Sequence, residues 1–228
     1  MSALSTSMSA GRMNKPTLNR RDSRTPPDLP SFILDQRIVW MGMATVPSVC
    51  ELVIAELLYL AYNNSKPVYV YVNSSGTQNE RRQSISYDTD AYGVIDTMNY
   101  INAQGTKKAG KVERICTVVL GKAEGNAALI AASGTKGYRY AMPESRLKIA
   151  TPRMNGMGGI VTNVMIQANN LEEVTKNYVN ILARSTGRST DQCWKDIERD
   201  KYFSPEAAIE YGLIDKIMKP EKQIRPNK

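Results

Sequence analysis

From Arg37 to Met218 the chain alternates short runs rich in β-branched and aromatic residues with stretches of helical length, and this alternation restricts the fold more than any other feature. Runs at 38–41, 68–72, 115–120, 138–141, 146–150 and 213–218 read as strands. Ser48 and Glu51, spaced as a capping box just after Pro47, open an amphipathic run through Leu52, Val53, Glu56, Leu57 and Leu60. Further helices are predicted over 88–101, over the small residues 127–132 and over 161–184, where Val164, Leu171, Val174, Tyr178 and Ile181 recur near a period of 3.6. Ser189 with Gln192 caps another helix, and Ser204-Pro205-Glu206 starts a short one that Gly212 ends. Repeated β-α units with right-handed crossovers make a layered α/β domain.

That pattern fills one domain, 31–219, between two basic ends. Of the net charge of +8, residues 1–30 carry +3 and residues 219–228 another +3, which leaves the body at +2. A near-neutral globule with basic ends is a poor nucleic-acid binder, so none is expected as a partner. The first 21 residues hold four Ser, four Lys or Arg and no acid, a composition like that of an organelle transit sequence or its remnant in a flexible segment. The prolines of Thr25-Pro26-Pro27-Asp28-Leu29-Pro30 are expected to hold the chain extended at the domain's entrance. Residues 220–228 form a basic C-terminal tail. No window is apolar enough to span a membrane.

The available chemistry is narrowed by what is missing. With zero histidines, the chain alone builds neither a Ser-His-Asp centre nor a His-ligated zinc site. Cys50, Cys116 and Cys193 lack metal-binding spacing and read as buried thiols in a reducing compartment. The run from Gly105 to Gly110-Lys111 imitates a phosphate loop, but Val112 stands where the metal-binding hydroxyl belongs and the preceding segment reads as helix. Two Ser-x-x-Lys matches, Ser133 with Lys136 and Ser145 with Lys148, lie across a helix end and at a strand, not on one helical face. No cofactor or metal is expected.

A series of motifs in order carries a resemblance over about residues 31–218. Tyr69-Val-Tyr-Val-Asn73-Ser74-Ser75-Gly76, Ala91-Tyr-Gly-Val-Ile-Asp96-Thr97-Met98, Gly134-Thr-Lys-Gly137-Tyr-Arg139, Met142-Pro143 with Ser145-Arg146, and the stretch from Arg199-Asp200 through Phe203, Glu206 and Tyr211-Gly212 to Asp215 resemble the ClpP family, the barrel-shaped proteolytic core of Clp proteases. Pro26-Pro27-Asp28-Leu29-Pro30 and Gly76-Thr77-Gln78-Asn79-Glu80 are similar to the plastid ClpR subunits in particular. The resemblance implies a ClpP/crotonase-like fold of repeated β-β-α units, with a protruding helix-strand handle through which rings stack.

Departures from the family then matter most. The resemblance puts the nucleophile in a strand-to-helix turn, read here as Gly121-Lys122-Ala123-Glu124-Gly125-Asn126, so Gly125 takes the serine's place. Ala150 replaces the histidine. The aspartate aligns with Asn163 if one residue is inserted after Pro152, or with Thr162 if none is. Gly76 and Asn126 keep a vestige of the oxyanion region, with Thr77 in place of a second glycine. The segment 102–112 is longer than the family's turn and presents Lys107, Lys108 and Lys111, while Gly156-Met157-Gly158-Gly159 falls where the family pairs a strand with substrate and with the opposite ring. The implied reading is a catalytically inactive subunit of a plastid Clp core, in a ring of seven with catalytic ClpP-like and other ClpR-like subunits, an AAA+ Clp chaperone docked outside and polypeptide substrates in the chamber. Two rivals remain: a crotonase-like acyl-CoA enzyme with Glu124 as base, and a serine hydrolase whose nucleophile has moved.

Overall fold

Val68, Val70 and Val72 are fully buried while Tyr69 and Tyr71 between them face outward, the period-two pattern of a strand with one covered face. They lie on β2 in the computed structural model, which describes residues 28–79, 81, 83–105, 114–156 and 158–218. The elements in order are α1 (Leu29–Asp35), β1 (Ile38–Met41), α2 (Pro47–Asn63), β2 (Val68–Ser74), α3 (Asp88–Gly105), β3 (Ile115–Glu124), α4 (Asn126–Ala132), β4 (Arg139–Ala141), β5 (Arg146–Ile149), α5 (Val161–Thr186), α6 (Thr190–Ile197), β6 (Lys201–Phe203), α7 (Pro205–Tyr211) and β7 (Lys216–Ile217). The expected α/β ClpP-like architecture is the one observed.

β1, β2, β3, β4 and β7 run parallel in that order, as crossover helices require. β3 is long enough to serve two neighbours. Thr117, Val118 and Val119 pair with β4, and Lys122, Ala123 and Glu124 pair with β5. Gly121 between the two halves has φ 70, and the register against β2 shifts here, which re-aims the end of β3. The apolar core gathers around α4, whose seven residues are all buried between the sheet, α3 and α5.

Several expectations are corrected. α2 starts at Pro47 with Val46 as N-cap and no side-chain cap, so Ser48 is inside the first turn and the capping box does not form. Its buried face is Val49, Cys50, Val53, Leu57 and Leu60, while Leu52 is 56% exposed. Pro30 does not hold the chain extended; a proline suits the first turn of a helix, and α1 begins there. β6 carries no alternating signal and was not expected, and the last strand shrinks to Lys216–Ile217. Ser189 and Ser204 do cap α6 and α7. The basic ends 1–27 and 219–228 and the lysines of 106–112 lie outside the described residues. All three cysteines are buried. Among the described residues, no helix is long and apolar enough to cross a membrane.

Candidate functional site

The end of β3 turns into α4 through Gly125, whose φ of 55 and ψ of −118 hold the backbone in the strained form of a nucleophile elbow. A Cβ built there meets nothing within 4 Å, so the place of a serine side chain is open space. The Gly125 amide donates to the Lys148 carbonyl at 2.8 Å, tying the elbow to β5. Ala150, one residue beyond β5, is 2% exposed, and its amide donates to the Tyr178 hydroxyl at 3.4 Å. Burial pushes that phenol's titration up.

Asn163 and Thr162, the two residues aligned with the family's aspartate, are exposed in the first turn of α5. β5 and β6 pair antiparallel with Ile149 against Lys201, and one step along that register sets Asp200 against Ala150. The Asp200 side chain is 5% exposed, lies 3.8 Å from the Arg153 guanidinium, and is close enough to act on Tyr178. A buried carboxylate thus stands beside Ala150. Asp200 was quoted in the sequence motif, but only the β5–β6 register gives it this position.

The oxyanion region is only partly as expected. Gly76 has φ 70, and a Cβ there would come within 2.3 Å of the Glu124 carbonyl oxygen, so only glycine fits. Its amide, however, donates to the Ser74 hydroxyl at 3.1 Å within the turn and is not turned to a ligand. Asn126 is 1% exposed and donates from Nδ2 to Asp88 Oδ1. Thr77 Oγ1 donates to the same oxygen at 2.7 Å. Asp88 opens α3 and is itself 8% exposed; burial raises its carboxyl more than these hydrogen bonds lower it. Sequence reasoning missed Asp88, which carries no motif.

The two rival chemistries find their residues engaged. Glu124 is held by Lys148 at 2.8 Å. Ser133 donates to the Leu129 carbonyl and Ser145 to the Met142 carbonyl, so both hydroxyls are committed to the backbone. Among the described residues no three His, Cys, Asp or Glu side chains group as for a metal.

Two surfaces complete the picture. The first half of α5 stands out of the body, with Val161, Met165 and Ile166 each more than 60% exposed, while Tyr178, Val179 and Leu182 of its second half are core. The accompanying strand is absent from the described part of 150–160; Gly156, Gly158 and Gly159 there make no ladder, and Gly159 has φ 117. On the sheet, Tyr69, Tyr71, Cys116, Tyr138, Tyr140 and Met218 line a cavity of about 340 Å³.

Residues 22–221 match the Clp protease family, to which the chain belongs. It is 40% identical to the ATP-dependent Clp protease proteolytic subunit-related protein 1, chloroplastic, of Arabidopsis thaliana over 87% of this chain and 49% of that protein. It is 39% identical to subunit-related protein 4, chloroplastic, of the same plant over 86% of this chain and 61% of that protein. ATP-dependent Clp protease proteolytic subunit 2 of Gloeobacter violaceus shares 39% over 86% of this chain and 82% of its own length. The chain spans about half to three fifths of the Arabidopsis relatives. Their chloroplastic location agrees with the plastid location read from the sequence.

Proposed function

We propose that this chain is a non-catalytic structural subunit of the plastid ATP-dependent Clp protease core. The observation that carries the reading is Gly125 at the elbow, with Ala150 beside it, in a chain of zero histidines. Hydrogen-bond donors and an acid without nucleophile or base make no acyl-enzyme. Gly125 and Ala150 are the degenerate positions, and Asp200 replaces Asn163 as the third.

The single domain, 31–219, takes a place in a ring of seven with catalytic ClpP-like and other ClpR-like subunits. The exposed apolar half of α5 stacks that ring on a second one. The tyrosine-lined cavity of the sheet belongs to the docking surface for the AAA+ Clp chaperone, and polypeptide substrates in the chamber are cut by neighbours.

Subunit-resolved native mass measurement of the purified core, after labelling with a fluorophosphonate, tests this. The chain is expected in stable assemblies with serine-bearing subunits and without label. Stoichiometric label on Ser133, Ser145 or any other of its serines overturns the reading.

A further inference from the structure

A cavity of about 350 Å³ lies between the start of α3, the segment after β5 and the middle of α5. Its walls include Ile85, Leu171 and Val174, which are apolar, and Asp88 contributes its carboxylate. The two donors that hold Asp88, Thr77 and Asn126, both meet Oδ1. No donor among the described residues reaches Oδ2, which is left to the cavity. Asp88 is more than nine-tenths buried, and an acid in that setting without a counter-charge is costly unless something cationic meets it.

The one basic residue of the lining does not meet that need. Arg153 lies 3.8 Å from Asp200, an acid outside the lining, and not on Asp88, whose carboxylate has no counter-charge among the lining residues. Nor does an ion pair among the described residues cover the charge: the salt bridges of Arg139, Lys148, Arg153, Lys176 and Lys201 all go to other acids. Apolar side chains set in one cavity with a fixed carboxylate suit a long aliphatic stem with a cationic head.

We infer that this cavity receives the basic side chain, lysine or arginine, of an extended polypeptide, with the stem along Leu171 and Val174 and the head on Asp88 Oδ2. The inference rests on the proposed place of the chain in a proteolytic chamber, and gives this non-cutting subunit a substrate-holding role selective for basic residues.

The test uses the isolated full chain and two fluorescein-labelled peptides identical except for one position, lysine in one and norleucine in the other. Anisotropy titration is expected to give the lysine peptide an affinity about tenfold higher. Asp88→Asn, which keeps an acceptor for Thr77 and Asn126, is expected to lower it to the norleucine level. Zero-length carbodiimide coupling should join the lysine peptide to Asp88, read by mass spectrometry of the digest. Equal affinity for both peptides, binding of neither, or a lysine preference that survives Asp88→Asn overturns the inference and leaves the non-catalytic reading standing. Cleavage of the peptide overturns that reading and leaves the cavity assignment standing.

Discussion

Lys148 Nζ lies 2.8 Å from Glu124 Oε2, joining two residues that the parallel register of β3 and β5 makes direct partners. The Lys148 side chain is 8% exposed and packs over the Tyr202 ring. The residue before the elbow therefore presents a paired carboxylate.

Breaking that pair from one side leaves a mostly buried ammonium. Glu124→Gln is expected to lower stability by about 2–3 kcal/mol, and Glu124→Gln with Lys148→Met to recover most of the loss. Urea unfolding of the three proteins checks this; equal stability of the single variant shows the pair to be solvated and weak.

Restoring chemistry requires two changes. Gly125→Ser alone is expected to take no fluorophosphonate label, since no histidine exists to accept its proton. Gly125→Ser with Ala150→His, using the native Asp200, is expected to label about a hundredfold faster than the single variant. Adding Asn163→Asp to the pair should change nothing, because position 163 is on the exposed first turn of α5. A gain from that third change would return the acid to the helix.

Assembly is tested on the exposed half of α5. Met165→Asp and Ile166→Asp, both at positions 62% exposed, are expected to leave the isolated chain's stability within about 0.5 kcal/mol and to abolish ring stacking in native mass spectra. Ile181 is the wrong probe: it is 9% exposed within the core, and a charge there unfolds the chain before it reports on assembly. Normal stacking of the Met165 and Ile166 variants moves the interface elsewhere.

The acid dependence of stability has two contributions of opposite sign. For Asp215, burial works to raise the carboxyl, but the Arg139 guanidinium and the amides of Arg139 and Gly137 outweigh it and hold it below the usual range. A carboxyl depressed on folding adds stability that is complete above its unfolded value near pH 4 and lost as pH falls through the lower folded value. Burial raises Asp88, with the like charge of Asp90 adding to it, so its contribution is unfavourable once pH exceeds both values and vanishes in acid. Asp215→Asn is expected to destabilise by about 1–3 kcal/mol at pH 7 and by less at pH 3. Asp88→Asn should stabilise at pH 7 and not at pH 3. Urea midpoints at the two pH values decide both.

The strands and helices that build the scaffold were legible because their signals are local: alternation at Val68 to Val72, serines at 189 and 204, glycine at 212. What the sequence concealed depends on residues far apart. Nothing in the spacing of Ala150 and Asp200 says that a three-residue strand brings them face to face, and β6 is too short to show a period. Asp88 is likewise invisible, since an aspartate at a helix start reads as a solvated cap and its burial comes from Thr77 and Asn126. Arg37 is a third case. It has φ 63, and its guanidinium donates to the carbonyls of Leu60, Asn64, Lys66 and Pro67, closing the end of α2 from another strand's threshold.

The elbow at Gly125 has a cost that differs between a glycine and a serine. A serine at φ 55 and ψ −118 is held against its own backbone preference, a tension of about 1–3 kcal/mol that the surrounding fold must restrain. Glycine sits there at rest. A glycine at this turn therefore keeps a standing load off the junction of β3 and α4.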